Sequence, residues 1–292
     1  MTRSIASSMG LIAGTCGGSV ARGRCLAGTE RRADSDGYIA PAMLVRRLYS
    51  TLFWAFLVSS SIALFPVALA TWAVTLPFDR RLAWLHQFTC FWGSLYTWVN
   101  PLWPVVVRGR EKIDPRETYV MVANHLSLLD ILVLFRLFRH FKWVSKIENF
   151  RIPCIGWNMR LNRYIPLRRG DRESVIQMMA ACEKTLAEGN SIMMFPEGTR
   201  SVTGELKAFK TGAFELALKT RRPILPIVLA GTSNALPKRG FVLQGRHPIT
   251  VTVLDPIPPE RFEDLSPKEL TEQVRGVIAA AQSATPLGAG GG

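Results

Sequence analysis

From Leu48 to Phe78 the chain carries no charged residue. This one feature removes most architectures open to a chain of 292 residues. An α-helix crossing a bilayer core needs about 20 apolar residues, and this run is longer. A buried helix of a soluble core is a poor alternative, because few such helices need so long an uncharged stretch. Arg46 and Arg47 precede the run and Arg80 and Arg81 follow it. Basic residues on both sides leave orientation open, so a full span and a hairpin held in one leaflet fit equally well. A second apolar stretch, Phe88 to Val107, is broken by Asn100, Pro101 and Pro104 and carries Trp92, Tyr96, Trp98 and Trp103. Such aromatics favour the headgroup zone, so residues 43–104 are expected to form membrane-anchoring helices.

Charge supports the same setting. The formal net charge is +14 with 48% hydrophobic residues, a balance that points to anionic partners. Nucleic acid is disfavoured: there is no zinc spacing and no separate helix-turn-helix pattern. An anionic membrane surface is the simpler reading. The five cysteines, Cys16, Cys25, Cys90, Cys154 and Cys182, form no C-x-x-C pair and no even set, as expected of free thiols in a reducing compartment.

Residues 1–42, rich in Gly, Ser, Ala and Arg, read as a disordered segment or an extension ahead of a start at Met43. Their arginines also suggest a transit or signal peptide, but no apolar h-region with a cleavage site follows. Residues 105–282 read as one α/β domain. Strands are expected at Val105–Val107, Tyr119–Ala123, Trp143–Ser145, Tyr164–Leu167, Ile192–Phe195, Ile224–Leu229 and Ile249–Leu254. Between them lie amphipathic patterns such as Arg172–Glu188, whose apolar positions Val175, Met178, Met179, Cys182 and Leu186 share a face and which stops at Gly189. Alternating strands and helices imply a mostly parallel mixed sheet flanked by helices. Residues 283–292 read as a flexible tail.

Three strand ends carry chemistry. Val122-Ala-Asn-His-Leu-Ser-Leu-Leu-Asp130 follows a strand and opens a helix. His125 there meets the positive end of the helix dipole, which favours a neutral base. Asp130, one turn on, can reach the other ring nitrogen and fix the tautomer. Ser127 to Asp130 is equally a capping box, so a purely structural reading stands beside the catalytic one. Next, Ser191-Ile-Met-Met-Phe-Pro-Glu-Gly-Thr-Arg200 ends a strand in a tight turn. It presents Glu197, a glycine that lets backbone N–H groups approach a ligand, and the planar fork of Arg200. Lys210 adds a cation at a following helix start. Finally, Tyr164-Ile-Pro-Leu-Arg-Arg-Gly-Asp171 ends another strand in Arg168 and Arg169. Each of these is an ordinary surface or turn feature when taken singly.

Their order is distinctive. His-x4-Asp, a strand-end arginine, Phe-Pro-Glu-Gly-Thr-Arg and Pro-Ile-Leu-Pro-Ile-Val together resemble the glycerolipid acyltransferase family, typified by 1-acylglycerol-3-phosphate acyltransferases. The resemblance covers about residues 105–255. It matches the first block at Asn124, His125, Ser127 and Asp130, and the third at Phe195 to Arg200. The fourth is matched at Pro223 to Val228, with Pro226 central. In the second block Arg168 stands where a small or acidic residue is usual, so Arg168 and Arg169 compete for the substrate role, Arg169 being the better match.

The resemblance implies a glycerol-3-phosphate acyltransferase-like fold and transfer of a fatty acyl group from acyl-CoA or acyl carrier protein to the free hydroxyl of 1-acylglycerol 3-phosphate. It implies His125 as general base with Asp130 and direct transfer with no acyl-enzyme. Arg168 or Arg169, Glu197, Gly198, Thr199, Arg200 and Lys210 are then expected at the substrate, and neither cofactor nor metal is needed. Partners would be a lysophospholipid, the thioester donor and a bilayer. The expected location is a membrane, the bacterial inner membrane with the domain facing the cytoplasm. Other acceptors (a lyso-ornithine lipid, glycerol 3-phosphate or another lysophospholipid) are alternatives, and a non-catalytic membrane-binding protein is a remoter one.

Overall fold

The computed structural model describes residues 35–201, 204–237 and 241–284, with side chains from residue 43 onward. Most of the segment 1–42 and of the tail 283–292 therefore lies outside the described residues, as do Cys16 and Cys25. Residues 35–42, read above as irregular, instead open the first helix.

Seven strands form one mixed sheet. In chain order they are β1 (Val105–Arg108), β2 (Val120–Ala123), β3 (Phe141–Lys146), β4 (Ile165–Leu167), β5 (Ser191–Met194), β6 (Ile224–Ala230) and β7 (Ile249–Val253). Every strand expected from the sequence is present within a few residues of its expected bounds. The spatial order is β1-β7-β6-β2-β5-β3-β4. All pairings are parallel except β6 with β7. The expected mostly parallel mixed sheet is thus observed. Pro226, inside β6, sits opposite Val122 just before the antiparallel ladder to β7 begins at Ile227. Its missing N–H falls at the change of pairing, where the ladder tolerates it.

Among the described residues the α-helices are α1 (Ser35–Thr75), α2 (Ala83–Trp98), α3 (Leu129–Phe135), α4 (Ile155–Leu161), α5 (Arg172–Ala187), α6 (Gly212–Thr220), α7 (Thr232–Ala235) and α8 (Pro267–Ala284). Strand side chains alternate between faces, and the two faces feed two cores. Val120, Val122, Ile192 and Met194 join Cys182 and Leu186 of α5, Phe214 of α6 and Val274 of α8. Met121, Ala123 and Met193 join Leu85 and Trp92 of α2 and Leu129, Val133 and Leu134 of α3.

Two expectations need correction. Of the apolar positions of α5, Met178, Cys182 and Leu186 are buried, whereas Val175 is 41% exposed. Val175 sits in the first turn of the helix and is not among the side chains packed into the core that Met178, Cys182 and Leu186 join. The second expected anchor segment also divides differently. Its helical part, α2, buries Leu85, Cys90, Trp92 and Tyr96 against the domain, and Val105 already belongs to β1. These side chains face protein, which leaves only Trp84, Phe91 and Trp98 exposed along this helix. The packed core therefore includes α2 and reaches ahead of residue 105.

The helix between Met43 and Thr75 is long and apolar enough to cross a membrane, with mean hydropathy 2.1. It also has a docked side. Phe53 and Ala68 are buried, Phe53 packs on Trp103 at 5.1 Å, and the Tyr49 hydroxyl donates to Asn100. Leu44, Leu48, Leu52, Ile62 and Val74 on its other sides remain bare.

Candidate active site

Parallel strands β2, β5, β3 and β4 end on one edge of the sheet, so the segments following them converge there. The turn after β2 begins with Asn124. Its amide donates to the Leu229 carbonyl at 2.9 Å and accepts from the Leu229 N–H at 2.7 Å. A side chain thereby completes the ladder to β6, and the backbone is free to leave the sheet at His125.

His125 is held from four sides. Its Nδ1 meets Asp130 Oδ2 at 2.8 Å. Its backbone N–H donates to Glu197 Oε1 at 2.7 Å. Its carbonyl accepts from the Ser201 N–H at 2.8 Å. Phe195 stacks on the imidazole with centroids 4.0 Å apart and planes 10° from parallel, and Trp143 backs Phe195. Among the described residues Nε2 has no hydrogen-bond partner. With Nδ1–H committed to the carboxylate, the basic lone pair is fixed on Nε2.

Asp130 is fully buried. Besides His125, its Oδ2 accepts the N–H groups of Leu126 at 2.6 Å and Ser127 at 2.8 Å, and its Oδ1 accepts the Thr232 hydroxyl at 2.6 Å. The bond from Ser127 N–H is one half of a capping box. The other half is shifted by one residue: the Ser127 oxygen accepts the Leu129 N–H at 3.3 Å, while its hydroxyl donates to the Leu236 carbonyl. Helix initiation and support of His125 are thus performed by the same carboxylate.

Glu197 is buried, with Oε1 on the His125 N–H and Oε2 on the Lys207 N–H at 3.3 Å. Burial lifts its carboxyl above the usual range, while the two N–H groups pull the other way. Both oxygens are occupied by backbone, so Glu197 ties the two loops together. Gly198 has φ +69°, and a Cβ there would lie 3.0 Å from Lys210 Cε. Glycine is required for the turn, and the lysine stem packs across it. The Arg200 carbonyl accepts from Lys207 Nζ, and Thr199 and Arg200 are half-buried beside them.

Arg168 and Arg169 leave the end of β4, three strand spacings from β2, or about 14 Å. Arg168 pairs with Asp171 at 3.5 Å and lines a groove of about 460 Å³ with Ile165, Ser174 and Met178. Arg169 is exposed and makes no ion pair among the described residues. The structure therefore joins His125, Asp130 and Glu197 directly and Gly198 with Lys210, while the arginine pair stands apart on the same edge.

Three contributors were not singled out in the sequence. Phe195 was noted as part of a block but not as the ring covering His125. Lys207 carries no local signal. Thr232 lies 102 residues from Asp130, and no spacing rule connects them. Ser201 is buried, and its hydroxyl has no partner among the described residues.

Comparison with known proteins agrees with this geometry. Residues 104–230 match the family model described as Acyltransferase. A 1-acyl-sn-glycerol-3-phosphate acyltransferase of Chlamydomonas reinhardtii is 36% identical over 252 residues, 85% of this chain and 73% of that protein. The chloroplastic 1-acyl-sn-glycerol-3-phosphate acyltransferase BAT2 of Brassica napus is 35% identical, covering 68% of this chain and 58% of its own length. The Saccharomyces cerevisiae enzyme of that name is 36% identical over 59% of this chain and 57% of its own length. Among solved structures, the 1-acyl-sn-glycerophosphate acyltransferase PlsC of Thermotoga maritima superposes with a TM-score of 0.67 at 23% identity, over 82% of this chain and 97% of that one.

Proposed function

The chain belongs to the acyltransferase family, and from that premise we propose that it acylates the free hydroxyl of 1-acylglycerol 3-phosphate, giving phosphatidic acid. The observation that carries this reading is the His125–Asp130 pair, held rigidly with Nε2 unengaged. Relatives named for this reaction support the choice of acceptor.

In this reading Nε2 of His125 removes the hydroxyl proton as the oxygen attacks the thioester carbonyl of acyl-CoA or acyl carrier protein. Asp130 balances the imidazolium, and the π-face of Phe195 favours the same cation. The tetrahedral intermediate collapses by breaking the C–S bond, and the departing thiolate takes the proton back from His125. No acyl-enzyme is needed. Arg169 would hold the acceptor phosphate, since Arg168 is engaged by Asp171. Arg200 and Lys210 would extend that cationic surface beside the Gly198 turn, with Thr199. Glu197 would act by ordering the loops rather than by touching glycerol.

A lysolipid acceptor and its product live in a bilayer, which suits an enzyme bearing the apolar face of α1. Because α1 is docked from Tyr49 to Trp72, this reading lays it beside the domain within one leaflet, with Trp84, Phe91 and Trp98 near the headgroups. In a bacterium the membrane would be the inner one, with the domain on the cytoplasmic side where thioester donors are made.

The test is transfer of labelled acyl groups from acyl-CoA or acyl carrier protein by the full chain in lipid vesicles. Lysophosphatidate is compared with a lysolipid lacking a terminal phosphate and with glycerol 3-phosphate. Labelled phosphatidate from lysophosphatidate alone supports the reading. Transfer to another acceptor in preference would refute the acceptor assignment.

A further inference from the structure

The four hydrogen bonds to Asp130 are divided unevenly. Three donors crowd Oδ2, namely His125 Nδ1 and the N–H groups of Leu126 and Ser127. On Oδ1 the donor is the Thr232 hydroxyl, at 2.6 Å. A carboxylate turns about its Cβ–Cγ bond, so a donor on Oδ1 adds a restraint on that rotation to the one that the donors on Oδ2 impose. Thr232 supplies that restraint with 0% exposure. Threonine is suited to it, because β-branching limits χ1 and aims the hydroxyl in advance.

The chain is built to deliver this side chain. Gly231 has φ +86°, and a Cβ there would fall 2.1 Å from the Pro248 carbonyl oxygen. Only glycine permits so sharp a turn off β6. The short helix α7 follows at once, and its end is fastened by the Ser127 hydroxyl on the Leu236 carbonyl. Further along, the Leu243 N–H donates to Ser50 Oγ, and Trp54 Nε1 donates to the Phe241 carbonyl. Residues 231–237 are thus fixed on Asp130 and by Ser127, and residues 241–243 on the apolar helix α1.

We propose that Thr232 is a positioning residue for acyl transfer, its hydroxyl holding the Asp130 carboxylate in the orientation that supports His125. The inference rests on the reading of His125 and Asp130 as the base pair. Thr232 touches neither substrate nor the reacting atoms, so its loss acts on the protonation step and leaves substrate binding in place.

The experiment compares the full-length wild type, Thr232→Val, Thr232→Ser and His125→Ala in vesicles, with kcat and both KM values measured and melting curves recorded. Valine keeps the shape of threonine and loses the donor. It is expected to lower kcat about 30-fold with KM values changed less than about 2-fold, an effect on a step confined to the transition state. Serine keeps the donor and is expected to recover kcat to within about 5-fold of wild type, losing only the fixed rotamer. A Thr232→Val kcat near wild type, equal damage from valine and serine, or a raised KM at unchanged kcat would each overturn the proposal. If the valine protein does not fold, Thr232→Ala takes its place with the same expectations. Turnover lost in His125→Ala but kept in Thr232→Val removes the Thr232 assignment alone, whereas turnover kept in His125→Ala removes the base-pair reading with it.

Discussion

Buried histidines lie at both ends of the central strands, His125 alone at one and His86 with His140 at the other, in different surroundings. Where β2 and β5 end, His125 faces the carboxylate of Asp130, with Glu197 one bond away on its backbone. Where β3, β4 and β5 begin, His86 meets the Tyr164 hydroxyl at 2.9 Å and packs on His140, which bonds Asn190 at 2.8 Å. Lys142 lies in the same region, buried, with Nζ on the Arg81 carbonyl. Charges of both signs lie near this second cluster, Lys142, Arg81 and Arg163 with Asp79 and Glu188, but its imidazoles bond to Tyr164, the Arg139 carbonyl and Asn190 rather than to a carboxylate. Burial first, and then Lys142, pushes His140 down to about 4. Burial first, and then Arg163, brings Lys142 down to about 7. Burying a histidine is therefore not enough to make a base. A carboxylate that can balance the imidazolium distinguishes one edge from the other.

The sharpest way to break the contrast is to remove that balance. Asp130→Asn should lower kcat at least about 100-fold with acceptor KM nearly unchanged, because the amide cannot stabilise the charged ring. Steady-state kinetics with lysophosphatidate would check it, and an undiminished kcat would make the two edges equivalent. Glu197→Gln retains one carbonyl oxygen for two N–H groups and should cost about 10-fold in kcat/KM through a looser His125 loop. Here a simultaneous drop in thermal stability is expected.

Arg169→Ala extends the contrast to the far end of the catalytic edge. It should raise the acceptor KM about 10-fold while kcat stays within about 2-fold, since the proposed phosphate contact would be made before and during reaction. Arg168→Ala should do little, its guanidinium being held by Asp171. The reverse pattern would exchange their roles.

The smallest effect on activity belongs to the opposite edge. Lys142 holds its proton to about pH 7 in the fold, against 10.5 for an ordinary lysine. Between those values the unfolded chain binds the additional proton, so this group makes stability rise with pH across that window. Below pH 7 its cost is present in full. Lys142→Met should flatten the rise in melting temperature from pH 7 to 10 relative to wild type and leave turnover within about 2-fold. An unchanged slope would contradict the assignment.

Much of this was legible before any coordinates. The strands were readable because alternation feeds two faces, as in Val120 and Val122 against Met121 and Ala123. His125 and Asp130 were readable because they lie within one turn of each other. Other features were hidden for definite reasons. An apolar helix of the length of α2 looks alike to lipid and to a protein core, and only the sheet beneath it reveals which it meets. Val175 has helical spacing but is not packed into the core. Thr232 and Asn124 act across more than a hundred residues, where spacing holds no information. Glu197 was expected beside the substrate, whereas the partners seen are backbone N–H groups, and backbone carries no sequence signature.

The central claim is that His125 takes the acceptor proton, and phosphatidate formation by His125→Ala tests it most directly. With wild type and variant inserted equally in vesicles, labelled acyl-CoA and lysophosphatidate should give product from the wild type and at least about 100-fold less from the variant, at similar acceptor binding. Wild-type product from His125→Ala would contradict the account.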